Sequence, residues 1–355
     1  MVEAARAAEH VARTSYGRLV AFLATRTRDI SSAEDALSEA FCAALETWPR
    51  TGIPSQPEAW LLTAARRRLI DDSRRRRVHE SATNALQLVS NRAVPNTDTL
   101  PGTADLISDD RLRLLFACAH PAIEPGMHAP LMLQTVLGLD AGRIASAFLT
   151  APATMSQRLV RVKAKIRDAG IPFEIPDHSV LSDRLASVLD AIYAAYTSGW
   201  DEASTLDGRG KELADEALYL ARLVVALLPE EPEARGLLAL ILFCESRRDA
   251  RRSQDGSYVP LTLQDTSQWS KVLLAEAEQQ LTIAFSRGVA GRFQTEAAIQ
   301  AIHAAKRLTG STNWNRIVVL YRALTGLTGT VGAYVGLAAA LSEAGDPTQA
   351  IHVLD

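Results

Sequence analysis

A cluster of arginines lies near the end of the first helical stretch, and its charge indicates a binding function. Its members are Arg66, Arg67, Arg68, Arg74, Arg75, Arg76 and Arg77. Asp71 and Asp72 offset only part of this charge. Like charges on neighbouring turns repel each other by roughly a few tenths of a kcal/mol per pair unless an anion relieves them. Compensation of a helix dipole explains one or two of these arginines, so we expect the segment to bind a polyanion such as nucleic acid.

A second basic helix is predicted over residues 153–168. Its apolar side, made of Met155, Leu159, Val162 and Ile166, repeats at helical spacing. The opposite face carries Ala153, Thr154, Gln157, Arg158, Arg161 and Lys165. Short side chains near a helix start can reach base edges, and Arg or Lys further along can hold phosphates. Predicted helices at 130–137 and 140–148 precede it in helix-turn-helix order, although such pairs also occur in bundles that bind no DNA.

An acidic helix is predicted ahead of the arginines. Ser31 and Glu34 have the spacing of a capping box, which predicts that the helix begins there. Its buried stripe is expected to consist of Leu37, Phe41, Leu45 and Trp48. The polar residues outside that stripe include Glu34, Asp35, Ser38 and Glu39. A merely solvated helix face is the simplest interpretation of these four when the segment is taken alone.

Other groups of residues do not predict catalysis or metal binding. Cys118 and His120 lack a second pair of ligands at suitable spacing, so a packed core is the better interpretation. We find no phosphate-binding glycine loop, serine elbow or acid pair beside a base, and we expect no catalytic residue, metal or cofactor. Tyr193, Tyr196 and Trp200 could line a ligand pocket, although aromatic residues at helical spacing more often belong to a core.

The composition is typical of a soluble helical protein. A length of 355 residues suits two or three domains, and 47% hydrophobic with 22% charged residues excludes disorder. Cys42, Cys118 and Cys244 lie apart in apolar helical patterns, which predicts buried, reduced thiols and a reducing compartment. The longest apolar run, 237–244, is too short to span a membrane, and no leader pattern opens the chain. A cytoplasmic protein without a membrane partner is therefore expected.

The chain divides by charge and by periodicity. Residues 1–176 contain 22 Lys and Arg against 19 Asp and Glu, whereas residues 177–355 contain 16 against 22. Helical patterns fill 1–77 apart from a break at 49–54, fail over 78–108 and return at 109. Helix-length segments then alternate with short turns, which predicts an all-α fold that ends in stacked helix pairs. Residues 331–355 have a tetratricopeptide-like pattern that stops inside a helix, so the natural chain could continue beyond Asp355.

Three segments with these features follow one another in a fixed order. They are 33–41 (AEDALSEAF), 59–71 (AWLLTAARRRLID) and 153–163 (ATMSQRLVRVK). As an ordered set they resemble the extracytoplasmic-function sigma factors over roughly residues 5–176. The segment 110–121 (DRLRLLFACAHP) and the helical back half are similar to the branch of that family with a long C-terminal tetratricopeptide-like extension.

The resemblance implies four regions and a function. Sigma domain 2, a helical bundle, would span 1–78, a linker 79–108, sigma domain 4 with its helix-turn-helix 109–176, and the tetratricopeptide-like extension 177–355. The protein would be an alternative sigma factor, not an enzyme, that directs core RNA polymerase to promoters. The extension would regulate it or bind a partner protein.

The resemblance also implies roles for individual residues. Docking on the clamp of the polymerase β′ subunit falls to Glu34, Asp35, Ser38 and Glu39. Contact with the minus-ten element of promoter DNA falls to Trp60, Arg66, Arg67, Arg74, Arg75, Arg76 and Arg77. Contact with the minus-thirty-five element falls to Ala153, Thr154, Gln157, Arg158, Arg161 and Lys165. The helices before this last group would meet the flap of the β subunit.

Two other functions stay open at this point. A helix-turn-helix regulator could sense a ligand in the helical back half and never join polymerase. A tetratricopeptide scaffold would leave the arginines unexplained. The acidic helix around residues 34–41 argues against a plain regulator, which has no need of it. Ser38, Arg67 and Gly142 depart from residues frequent in sigma factors, so the promoter sequence does not follow from the resemblance.

Overall fold

The computed structural model describes residues 2–83, 103–202, 209–253, 255–288 and 290–354. Within these ranges the chain forms α-helices and four short 3-10 helices but no β-strand, which confirms the all-α expectation. The α-helices are α1 (Val2–Thr27), α2 (Ile30–Thr51), α3 (Pro57–Thr83), α4 (Thr103–Cys118), α5 (His128–Thr135), α6 (Ala141–Ala147), α7 (Pro152–Asp168), α8 (His178–Glu202), α9 (Arg209–Leu227), α10 (Pro232–Glu245), α11 (Lys271–Phe285), α12 (Arg292–Thr309), α13 (Trp314–Thr328), α14 (Val331–Glu343) and α15 (Pro347–Leu354). The 3-10 helices are Pro125–Met127, Asp249–Arg251, Leu261–Leu263 and Thr266–Gln268.

The chain forms two compact units, residues 1–198 and 199–355. The boundary between the two units therefore falls inside α8, and the sigma-domain bounds given above stay a prediction. In the first unit α1, α2 and α3 pack on one another, and α4 packs along α1. Helices α5 and α7 also contact this bundle, so the regions expected as separate sigma domains 2 and 4 share one unit.

Helix α2 begins with a different cap from the one expected. Asp29 is the N-cap, and its carboxylate accepts hydrogen bonds from the backbone N–H of Ser32 and from the Ser32 hydroxyl, at 3.2 and 2.6 Å. A carboxylate is a strong acceptor at the positive end of a helix, and Asp29 takes the place of the predicted Ser31–Glu34 capping box. Pro49 lies within the last turn of α2, so the expected break at 49–54 begins only at Gly52.

Small residues form most of the buried side of α2. Its buried residues are Ile30, Ala33, Ala36, Leu37, Ala40, Ala44 and Trp48. Leu45, which the sequence placed in the core, is 49% exposed, and Phe41 is half-buried. The alanines let α1 and α3 approach closely, and Trp48 meets Trp60 of α3 edge-on with ring centroids 5.6 Å apart.

The expected linker at 79–108 is helical at both ends. Helix α3 continues to Thr83 and α4 begins at Thr103, while residues 84–102 lie outside the described part of the chain. The arginine segment therefore extends the same helix that carries Trp60. The side chains of Arg75, Arg76 and Arg77 lie outside the described residues as well.

Helices α5, α6 and α7 lie close to where the sequence predicted them. Asp140 caps α6 by accepting from the N–H groups of Gly142 and Arg143 at 2.8 and 3.0 Å. Helix α7 starts with Pro152, whose missing N–H is not needed at a first helical position. Its buried side contains Met155, Leu159 and Ile166 as predicted, but Lys163 is buried where Val162, now half-buried, was expected.

The second unit is built around α10. Residues 237–244 of α10 are all buried, and α9, α11 and α12 pack on this helix. Glu233 of α10 caps α12 because its carboxylate accepts from the N–H groups of Phe293 and Gln294 at 2.9 and 3.1 Å. Helices α12 to α15 continue the stack through one cluster of apolar residues that includes Ile317 and Leu337.

His303 is a half-buried titratable group in the second unit. It lies on α12 and meets Trp314 of α13 edge-on, with ring centroids 5.3 Å apart. Burial, together with the nearby cations Arg247 and Lys306, lowers the pKa of His303 to about 4. The imidazole is therefore neutral at pH 7.

The three cysteines differ in exposure. Cys118 and Cys244 are buried as expected, and burial raises the pKa of Cys118 to about 12. Cys42 is exposed, which corrects the expectation of three buried thiols, because its position on α2 points away from the alanine seam. None of the helices in the described ranges combines the length and the apolar character that a membrane span requires.

Candidate nucleic-acid interface

A cavity of about 390 Å³ opens where α3 begins. Its lining residues are Pro54, Ser55, Gln56, Ala59, Trp60, Thr63, Ala64 and Arg67. Pro57 starts the helix, and helical spacing then brings Trp60, Thr63 and Arg67 to one side of it. The edge-on contact with Trp48 fixes the indole ring of Trp60. An aromatic face, a guanidinium and an amide around one cavity are the groups that bind an unstacked base by stacking and hydrogen bonding.

The arginines extend from this cavity along α3. Arg67 and Arg74 are exposed, and Arg66 is half-buried. Arg68, which the sequence grouped with them, forms an ion pair with Glu39 of α2. The exposed cations follow the helix away from the cavity, as a phosphate backbone would require if one of its bases occupied the cavity.

The four polar residues of α2 do not form one free acidic surface. Asp35 and Ser38 are exposed, and Glu39 pairs with Arg68. Glu34 instead accepts a hydrogen bond from the ammonium of Lys163 at 2.6 Å, with the two side chains 17% and 8% exposed. Burial raises the pKa of Glu34, although the charge of Lys163 acts in the opposite direction. Glu34 is thus paired with Lys163 and is not a free acidic group on the surface of α2.

Lys163 is a structural residue that the sequence did not distinguish. It lies among four other cations of α7, and 129 positions separate it from Glu34. Two further contacts lie between α1 and the turn that joins α5 to α6. A Cβ at Gly17 would lie 1.7 Å from the carbonyl oxygen of Val136, and a Cβ at Gly138 would meet the Tyr16 ring at 3.3 Å. These contacts hold α5 to α7 against the first three helices.

The face of α7 opposite its buried side is exposed to solvent. The residues predicted for base and phosphate contacts, Ala153, Thr154, Gln157, Arg158, Arg161 and Lys165, are all exposed. Met155, Leu159 and Ile166 anchor the helix from behind. The small and polar residues lie at its start and the cations further along, which is the order that suits a helix in a major groove.

The alternative ligand sites gain little support. Tyr196 is 1% exposed and belongs to the core, whereas the side chain of Trp200 lies outside the described residues. The thiol of Cys118 contacts the Thr135 hydroxyl at 3.6 Å, and the Nδ1 atom of His120 accepts from the Ala122 N–H at 3.1 Å. In the part of the chain that the structure describes, no group of three His, Cys, Asp or Glu residues could hold a metal ion.

Comparison with known proteins gives two family matches along the chain. Residues 11–78, which include α2 and most of α3, match the sigma-70 region 2 family. Residues 184–285 match a family of unknown function, DUF6596. The chain is also similar to an uncharacterized protein of Rhizobium meliloti (strain 1021), with 38% identity over 331 residues, which is 92% of this chain and 78% of the relative. No solved structure matches.

These matches bear on part of what the sequence suggested. The sigma-70 region 2 match includes the cavity, the arginines through Arg77 and the polar residues of α2. The expected tetratricopeptide-like extension is not confirmed, since residues 184–285 match DUF6596 instead. The two matched ranges do not include α5, α6 or α7, so the helix-turn-helix function stays a prediction.

Proposed function

We propose that this chain is an alternative sigma factor of the extracytoplasmic-function type. The chain belongs to the family of its Rhizobium meliloti relative, and it carries a sigma-70 region 2. Its region 2 gives it a sigma-factor-like role in transcription initiation, with core RNA polymerase and promoter DNA as partners. The cavity beside Trp60, at the head of the arginine-bearing helix, is the observation that carries the finer proposal.

In this proposal α3 opens and reads the minus-ten element. A base that leaves the duplex stacks on Trp60 and meets the polar groups of Gln56 and Arg67, which line the same cavity. Arg74 and the arginines after it follow the phosphates of the strand. Stacking accepts any base, so the polar groups on the rim supply the preference.

Polymerase binding is assigned to the exposed part of α2. Asp35 and Ser38 are available to the β′ clamp, while Glu39 shares its charge with Arg68 and Glu34 is held by Lys163. The predicted group of four is thereby reduced to a docking surface centred on Asp35. A charge at such a rim acts mainly on affinity and association rate.

The remaining elements complete the proposal. Helix α7 reads the minus-thirty-five element with Gln157, Arg158 and Arg161, and the helices before it meet the β flap. The second unit binds a protein partner or regulates the sigma domains. We place the protein in the cytoplasm because its polymerase and promoter partners are there.

Sequencing of bound DNA tests this proposal. Core polymerase is mixed with genomic fragments, with and without the full-length protein, and the retained fragments are sequenced. We expect a shared two-element promoter only when the protein is present, and we expect Trp60→Ala to lose the minus-ten part of it. Tyr258→Ala, which removes a 62% exposed aromatic residue from the second unit, should retain both parts. Retention of the same fragments with and without the protein would refute the proposal.

A parallel co-elution experiment tests the docking surface. Asp35→Lys should weaken retention of the protein on core polymerase, whereas Glu46→Lys makes the same charge change on an exposed residue of the same helix and should not. Equal retention of the two variants would remove Asp35 from the interface.

A further inference from the structure

The turn between α6 and α7 exposes a leucine in a backbone conformation that favours glycine. Leu149 has a φ of 49° and is 96% exposed. The Thr150 N–H donates to the Ala145 carbonyl at 2.8 Å, and the Leu149 N–H donates to the Ser146 carbonyl at 3.2 Å. These two bonds form a Schellman motif, and Leu149 occupies its left-handed position, where helices usually have glycine.

The same motif elsewhere in the chain uses glycine. Helix α7 ends with Gly170 in this position, at a φ of 62° and with the equivalent pair of hydrogen bonds. Arg28 is the other described non-glycine residue with a positive φ, and its exposed guanidinium is well solvated. An exposed leucine gains no such hydration and buries no apolar surface. The fold therefore gives no reason for a leucine at 149.

The surroundings of Leu149 indicate which kind of partner would cover it. Helix α7 begins three residues later, and Gln157, Arg158 and Arg161 on its outer face are exposed. The one acidic residue of α7 is Asp168, at its far end. A basic surface of this kind suits duplex DNA, whose major groove offers one distinctive apolar feature, the methyl group of thymine.

Resting on the sigma-factor function proposed above, we propose that Leu149 is a specificity-determining residue that contacts a thymine methyl group in the minus-thirty-five element. The backbone bonds of the turn fix the main chain at Leu149, so its side chain starts from a defined position just ahead of the base-reading face of α7. Gln157, Arg158 and Arg161 read hydrogen-bonding groups, and Leu149 adds an apolar contact that these three side chains cannot supply.

Uracil-substituted DNA tests this contact because uracil differs from thymine only by the missing methyl group. The full-length protein with core polymerase is titrated with promoter duplexes in which each minus-thirty-five thymine is replaced in turn. We expect the wild-type complex to bind about fourfold more weakly at one position, the factor that corresponds to burial of one methyl group. Leu149→Gly, which suits the positive φ, should bind the thymine and uracil duplexes equally.

Two further variants test whether the thymine preference depends on the Leu149 side chain. Leu149→Asn also tolerates a left-handed backbone and should behave as Leu149→Gly does, whereas Leu263→Ala, which removes a 74% exposed leucine of the second unit, should keep the thymine preference. Equal binding of all duplexes by the wild-type complex would overturn this proposal and leave the sigma-factor function intact. A loss of core co-elution by Leu149→Gly would assign the residue to polymerase and overturn it too. If the wild-type protein recruits core polymerase to no promoter, both proposals fail.

Discussion

Removal of the Lys163 ammonium should destabilise the first unit markedly. The Glu34–Lys163 pair is 2.6 Å long, and its side chains are 17% and 8% exposed. Loss of one partner from a buried ion pair costs about 3–5 kcal/mol, because the other charge stays buried without compensation. Glu34 retains some exposure and can take up a proton, since burial raises its pKa. We therefore expect Lys163→Met to cost about 3 kcal/mol, near the low end of this range.

A double-mutant cycle separates this effect from a general loss of packing. Glu34→Gln with Lys163→Met replaces both charges by neutral groups of similar size, so its stability should return to within about 1 kcal/mol of the wild type. Arg167→Met is the matched control on the same helix. It removes an ion pair with Asp168 whose side chains are 48% and 66% exposed, and such surface pairs contribute little to stability because water screens them.

Calorimetry of the full-length protein, with hydrogen exchange to assign each transition, measures these differences. A loss of 3 kcal/mol in a unit of this size lowers its Tm by about 6–12 °C. The transition of the second unit serves as an internal reference. If Lys163→Met unfolds within about 1 °C of the wild type, or if the double variant is no more stable than the single one, the buried pair does not stabilise the unit.

Three further predictions concern packing, pH and DNA contact. Gly17→Ala should destabilise the first unit by about 1–3 kcal/mol, because the new Cβ meets the Val136 carbonyl, whereas Gly126→Ala has open space and should change thermal stability little. Acidification from pH 7 to 4 should remove up to about 3 kcal/mol of stability through His303, because the imidazole takes up its proton near pH 6.5 in the unfolded chain and only at about 4 in the folded one. The His303→Gln variant should lack this loss in a pH series of thermal melts. Arg158→Ala should cost about 1–3 kcal/mol at one base position if the side chain reaches a base edge, whereas a phosphate contact would lower the salt slope of binding by about one.

The sequence was most informative where local pattern decides structure. Helix α7 and its exposed polar face follow from a 3.6-residue repeat within 16 residues, and the turn signals around 138 and 149 locate α6. The arginines concentrated on α3 indicate a binding surface for a polyanion in the sequence, and Arg67 and Arg74 are exposed in the structure. These features need no knowledge of distant contacts.

Features that depend on tertiary packing were missed or misplaced. The Glu34–Lys163 pair joins residues 129 positions apart, and each looks like an ordinary surface charge in its own helix. Leu45 is exposed because alanines, not large side chains, form the α2 seam. The cap of α2 is Asp29, two residues before Ser31, because its carboxylate accepts from the Ser32 N–H and its negative charge is favourable at the positive end of the helix.

Run-off transcription is the most direct test of the central claim. Purified core polymerase is supplied with a genomic promoter fragment, and transcripts are compared with and without the full-length protein. A sigma factor should produce a transcript of defined length that begins downstream of the two promoter elements and is absent without it. No promoter-specific transcript, together with no co-elution of the protein with core polymerase, would contradict the account and favour a DNA-binding regulator that acts apart from polymerase.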